Sequence, residues 1–204
     1  MTTMPIDAAP AELPIRDEPL AYVARLDARA ESLVEGIVVH CTETPDLATA
    51  RSLGEHLLYS SGTGNSGHYY IDRDGHTECW VPPNRIAHHV AGMNDHSVGV
   101  ELVNRGRWPD WFHSAHQVPT EAYPPPQIDA LVALIEWLRT QCLELRQIAG
   151  HEDLDRRQLV SADDPEIRIP RKIDPGPLFP WEQLLARVDL HRLSPVDVTP
   201  ATQG

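Results

Sequence analysis

The run Gly36-Ile-Val-Val-His40 is apolar and β-branched up to its last residue. A strand without polar alternation is buried on both faces, so it needs cover on both sides of its sheet. Other segments fit that frame. Ser97–Val103 alternates, with Glu101 on the face of Gly99 and Val103, opposite Val98, Val100 and Leu102. His68–Ile71 and His76–Val81 flank Asp72-Arg-Asp-Gly75, which reads as a hairpin with a turn tolerant of positive φ. Ile148–His151 reads as a further short strand end. The clearest helix is Gln127–Leu145, where Ile128, Leu131, Ile135, Leu138 and Cys142 recur at spacings of three and four and Val132 widens the stripe. Thr44-Pro45-Asp46 offers cap chemistry for a helix over Leu47–Tyr59. The glycine- and serine-rich stretch 60–67 is a loop, and a last helix follows Pro180 over Trp181–Val188. The expected fold is a single α/β domain, a mixed central β-sheet flanked by helices.

That domain is expected over residues 20–189. Residues 1–19 are rich in proline, alanine and acid without apolar period and read as a flexible arm; 190–204 read as a tail. The net charge of −13 repels phosphate backbones, so no nucleic-acid partner is expected. Cys41, Cys79 and Cys142 cannot all pair within the chain and show no disulfide spacing, so they read as reduced core thiols. The N-terminus has neither a basic start nor a signal-length apolar run. No stretch approaches the about 18 apolar residues of a membrane span. A cytoplasmic location is expected, with release by lysis or non-classical export left open. The oligomeric state is not legible.

Most of the eleven histidines, His56, His113, His116 and His191 among them, read as surface or hydrogen-bonded residues. His40 and His151 differ because each closes an apolar strand. Asp174 lies in Ile-Asp-Pro-Gly-Pro, where the backbone is fixed. Two imidazoles and a carboxylate suit zinc, leaving a fourth tetrahedral position open. Spacing alone does not single out this set, since neither a CxxC pair nor an HExxH motif is present.

Six segments carry a resemblance: IVVHCTE (37–43), GHYYIDRDG (67–75), RIAHHVAG (85–92), NDHSVGVELVN (94–104), AGHEDL (149–154) and RKIDPGPLFPW (171–181). In this order they resemble the zinc-dependent N-acetylmuramoyl-L-alanine amidase family. That family includes cytoplasmic muropeptide amidases, phage lysozyme-like amidases and peptidoglycan-recognition proteins. The resemblance implies one Zn²⁺ per chain on His40, His151 and Asp174. It places the family's acidic residue on Glu101, its basic residue on Lys172, and the histidine before its Ala-Gly pair on His89, with His88 adjacent. Asn104, Trp108 and Trp111, on the loop after the Glu101 strand, are candidate substrate contacts.

Two departures stand out. Lys172 and Asp174 follow His151 at a greater distance than in compact members, so Leu154–Pro170 reads as an insertion, either a wall of the groove or a solvated loop. With the adjoining Asp153 it adds Asp155, Asp163 and Asp164 as rival carboxylates. Phage-type members carry a tyrosine where this chain has Gly67, which leaves the proton-transfer role to Glu101.

The implied activity is hydrolysis of the amide between N-acetylmuramic, or anhydromuramic, acid and L-alanine. Zinc would polarise the carbonyl, Glu101 would move the water's proton to the leaving amine, and Lys172 would stabilise the oxyanion. The expected partner is a peptidoglycan fragment or polymer, with muropeptide recycling preferred over a phage-type endolysin. The competing classes are a non-catalytic peptidoglycan-binding module and a structural protein sharing only the fold.

Overall fold

The computed structural model describes residues 14–193. Among these residues, nine strands and four α-helices are formed: β1 Ile15–Asp17, β2 Gly36–Cys41, α1 Leu47–Gly54, β3 Tyr69–Ile71, β4 Thr77–Cys79, β5 Ser97–Leu102, α2 Pro125–Gln141, β6 Gln147–Gly150, α3 His151–Leu154, β7 Gln158–Val160, β8 Arg168–Pro170, α4 Trp181–Leu185 and β9 His191–Arg192. The main sheet runs β1-β4-β3-β5-β2-β6-β9. It is mixed. β3 and β4 form the antiparallel hairpin, and the other neighbours pair in parallel. All six residues of β2 are buried, as a central strand requires.

The two faces of this sheet differ. On one, Ile37, Val39, Val98, Val100 and Leu102 meet Ile128, Leu131, Leu134, Ile135 and Leu138 of α2. Burying each such side chain contributes about 1.5–3 kcal/mol. On the other face Ala50 of α1 packs with Leu20, Tyr22, Tyr70 and Trp80. Parallel register aligns His40 with Glu101 and Glu101 with Tyr70, so these three project from the sheet in one row.

Several elements differ from expectation. α1 starts where foreseen, Asp46 Oδ1 accepting from the Thr49 N–H at 2.7 Å. It ends at Gly54, whose close packing on Trp80 leaves a Cβ only 3.3 Å from the ring. Leu57, Leu58 and Tyr59, expected in that helix, are exposed loop residues. α2 stops at Gln141, and buried Leu134 joins the half-buried Val132 in widening its stripe. His151 does not end β6 but opens α3. Residues 1–13 and 194–204, most of the expected arm and tail, lie outside the described residues. Within the remainder of those segments, Ile15–Asp17 and His191–Arg192 pair as edge strands, because the neighbouring edges offer unpaired backbone groups.

The insertion is neither unstructured nor isolated. β7 and β8 form an antiparallel pair, and Asp155 at its base bonds Arg157 and Arg171. Its tip is clipped to the 105–117 segment: Ala162 N–H donates to Phe112 O at 2.7 Å, and Ser114 donates twice to Asp163.

Candidate metal centre

The carboxyl ends of parallel strands are where α/β sheets open crevices. Here β2 ends with His40-Cys41, β5 carries Glu101 near its end, and β6 hands over to His151. The segment 172–174 returns over these ends. Asp174 Oδ2 lies 3.1 Å from His40 Nδ1 and 3.2 Å from His151 Nδ1. The three possible ligand atoms lie within 4.8 Å of one another, the one such group found among the described residues. All three residues are buried.

This donor set fits zinc on three counts. Ligand atoms 2.0–2.1 Å from a tetrahedral zinc stand about 3.3 Å apart, close to the spacings found. Asp174 Oδ1 is buried without a hydrogen-bond partner among the described residues. Burial lowers the His40 pKa to about 4, which keeps a lone pair available. For Asp174, burial opposes ionisation, but Lys172 and the two histidines overcome it and hold the carboxyl well below its usual range. The rival carboxylates are engaged elsewhere. Asp153 accepts from Gly150 N–H and Arg192, Asp155 is paired within the hairpin, Asp163 caps Ser114, and Asp164 accepts from Glu166 N–H.

Glu101 and Lys172 flank the triad. Glu101 Oε1 stands 3.9 Å from His40 Nδ1, and Lys172 Nζ stands 3.8 Å from Asp174 Oδ1. Burial, with the Asp174 charge, pushes Glu101 up to about 8, and Asp174 raises Lys172, so the ammonium is retained. A bound dication would act on Glu101 in the opposite sense. Gly67 is explained by Glu101: a Cβ there would lie 2.7 Å from Glu101 Cγ. The glutamate stem fills the space that a side chain at 67 would need.

His89 stands behind the triad. Its Nδ1 is 3.0 Å from His40 Nε2, and its Nε2 is 3.4 Å from Ser97 Oγ, which donates to Met93 O at 2.6 Å. Asn94 Oδ1 accepts from the His89 and Val90 N–H groups and shapes that turn. The ring lies flat against β5 at Gly99, where a Cβ would meet His89 Cγ at 2.6 Å. Burial, then His40 and His68, hold His89 well below its ordinary pKa. The adjacent His88 instead packs on Tyr59, ring centroids 4.9 Å apart.

These groups open into a cavity of about 460 Å³. Asn104, Trp108 and Trp111 are not among its lining residues. The Asn104 amide serves backbone groups, donating to Glu121 O and accepting from Gly106 N–H. The Trp111 indole donates to Glu43 O at 2.9 Å, and Trp108 packs edge-on against Trp111. This loop buttresses Glu43, which is clamped by Arg107 at 2.6 Å. The lining also includes Tyr59, Arg157 and Arg171, which sequence reasoning did not single out. Arg171 lay inside a recognised motif and Arg157 inside the insertion, yet neither position signals which way its side chain turns.

The profile of the N-acetylmuramoyl-L-alanine amidase family matches residues 30–177. Over 135 residues the chain is 30% identical to N-acetylmuramoyl-L-alanine amidase AmiD of Escherichia coli (strain K12), covering 58% of this chain and 43% of AmiD. It therefore spans less than half the length of that curated relative. Among solved structures, the endolysin N-acetylmuramoyl-L-alanine amidase LysCS from Clostridium intestinale URNW superposes with a TM-score of 0.61 at 21% identity, over 89% of this chain and 99% of LysCS. That likeness shows the fold. A complex of AmiD from E. coli with the substrate anhydro-N-acetylmuramic acid-L-Ala-D-γ-Glu-L-Lys superposes with a TM-score of 0.57 at 26% identity, over 76% of this chain and 57% of AmiD. The profile match takes in every residue of the triad together with Glu101 and Lys172, and the chain belongs to the N-acetylmuramoyl-L-alanine amidase family.

Proposed function

We propose that this protein is a zinc-dependent amidase that hydrolyses the bond between N-acetylmuramic, or anhydromuramic, acid and L-alanine. The observation that carries the reading is the buried His40–His151–Asp174 group, with Glu101 and Lys172 at its edge and a cavity above it. His40, His151 and Asp174 would hold the metal. A bound zinc ion would supply Lewis acidity, polarising the scissile carbonyl and acidifying water. Glu101 accepts a proton from the attacking water and returns it to the L-alanine nitrogen as the C–N bond breaks and the new C–O bond forms. The Lys172 ammonium faces the negative charge that develops on the carbonyl oxygen.

His89, foreseen as a substrate contact, lines the cavity and has a further part beside His40. A metal held through His40 Nδ1 would leave the His40 proton on Nε2, from which it would be donated to His89 Nδ1, 3.0 Å away. The second imidazole would thereby fix the tautomer and tilt of the first. His89 is a positioning residue.

The finer reading is a soluble anhydromuropeptide substrate, used in muropeptide recycling within the cytoplasm. Its support is the acidic charge of −13, which disfavours adsorption to anionic polymer, and the likeness to AmiD in complex with an anhydromuramoyl peptide. Among the described residues, no helix is long and apolar enough to cross a membrane.

The test is mass spectrometry of products from zinc-loaded and chelated protein, given soluble anhydromuropeptides and intact sacculi in parallel. Release of a peptide beginning with L-alanine, abolished by chelation, is expected. Uptake of either material without cleavage would move the protein to the binding-module class.

A further inference from the structure

The cavity above the triad has two unlike walls. In the sheet order β3 and β6 lie on opposite sides of the β5–β2 pair. Residues 55–66 lead into β3, and the β7–β8 hairpin follows β6. The first wall carries no formal cation or acid and is partly aromatic, with Tyr59 against His88, Leu58 beside them 60% exposed, and the polar His56, Asn65 and Ser66. The second carries Arg157, Arg171 and Lys172. Three cations on one wall are unexpected in a chain of net charge −13.

The two arginines are held, but not used up, by Asp155. Arg157 Nε and Nη2 each reach an Asp155 oxygen at 2.8 Å, and Arg171 Nη1 bonds Asp155 Oδ2. The Asp155 side chain is only 7% exposed, whereas Arg157 is 59% and Arg171 36% exposed. One buried carboxylate thus anchors two guanidinium groups and leaves a net positive charge facing the cavity. Among the described residues, Arg157 Nη1 and Arg171 Nε and Nη2 make no hydrogen bond. Pre-ordered guanidinium groups with free N–H donors bind carboxylates with little further loss of side-chain freedom. Arg107 reinforces the wall from behind by donating to Pro170 O and Arg171 O.

We propose that Arg157 and Arg171 form a carboxylate-binding subsite that holds the acidic stem peptide of the substrate, leaving the saccharide to the Tyr59–His88 wall. This rests on the amidase reading above. The matching chemistry lies in a γ-linked glutamate at the second stem position, whose α-carboxylate stays free. Aromatic faces suit the apolar face of a sugar ring. The two walls thus set the direction in which the substrate crosses the triad.

The experiment uses zinc-loaded full chain and two muropeptides differing only at that α-position, one carboxylate and one carboxamide. The wild type is expected to favour the carboxylate by about tenfold in kcat/KM, carried mainly by KM. Arg157→Gln and Arg171→Gln should each pull that ratio toward one, and Arg157→Lys, which keeps charge without the fork, should fall between. Circular dichroism and the thermal midpoint verify that each variant is folded. A wild type indifferent to the two substrates, or variants that slow both equally with the ratio intact, would overturn the subsite while leaving the amidase reading standing. Cleavage of neither substrate by the wild type would overturn both.

Discussion

The two faces of the β2–β5 pair are written in alternate residues of the same segments, yet they obey different rules. On the α2 side, Ile37, Val39, Val98, Val100 and Leu102 are interchangeable in kind, because any apolar side chain of suitable volume excludes water there. On the opposite side, Gly99, Glu101 and His40 are each fixed by particular neighbours: Gly99 by the His89 ring, Glu101 by the space left at Gly67, His40 by Asp174 and His89. The first face stores stability in area, the second stores function in geometry. Damage to each should therefore be read with a different instrument.

The largest expected effect is on the reactive face. Glu101→Gln should lower kcat by about 10²–10⁴ while zinc content is unchanged, since Glu101 is not one of the three ligand residues and its Oε1 stands 3.9 Å from His40 Nδ1. Near-normal turnover would remove Glu101 from the proton path. On the apolar face, Leu131→Ala should cost about 2–5 kcal/mol in chemical denaturation, because the residue is fully buried against the sheet. Activity per folded molecule should persist; a specific loss of turnover at full foldedness would blur the division between the faces. His89→Ala tests the intermediate case. Zinc affinity, measured by competition with a chelator, should weaken about 10–100-fold with the apo-protein melting temperature little changed. Unaltered affinity would return His89 to the role of a substrate contact.

The smallest effect concerns the hairpin. Hydrogen bonds from Arg157, then the charge of Arg171, depress the Asp155 pKa in the folded state despite burial. The linked stability is therefore fully present above the unfolded value of about 4 and is lost as pH falls through the lower folded value. With Arg157 largely exposed, solvent screening keeps this contribution small. Hydrogen exchange within 154–170 should accelerate on acidification below about pH 4, and Asp155→Asn should flatten that dependence. An unchanged profile in the variant would show that Asp155 does not hold the hairpin.

The contrast between the faces also explains what the sequence made legible. Periodicity located α2 because a helix burying one stripe must repeat apolar residues every three or four positions, and Ile128, Leu131, Ile135 and Leu138 do so. The sequence does not mark the α1 terminus because Leu57, Leu58 and Tyr59 look like core, while Leu58 and Tyr59 line the cavity and Leu57 is exposed beside them, a placement that no periodicity describes. The convergence of His40, His151 and Asp174 could not come from spacing, since a sheet brings together positions far apart in the chain. It was reached through ordered motifs. The edge strand at Ile15–Asp17 escaped notice because its pairing comes from backbone groups, which carry no side-chain signature. Arg157 and Arg171 were hidden for a related reason: an insertion rich in Asp and Arg has many possible pairings, and only folding shows that Asp155 takes both.

The contact between Gly67 and Glu101 reaches beyond this one chain. A side chain at 67 and a glutamate at 101 compete for one volume, with 2.7 Å between Glu101 Cγ and any Cβ placed at Gly67. The two positions are therefore epistatic. A lineage that acquired a tyrosine at 67 would first have to give up the long acid at 101, and the reverse path meets the same obstacle. Single-step mutational walks between the two types pass through an intermediate that is either overpacked or without a proton carrier, so the change requires a paired substitution.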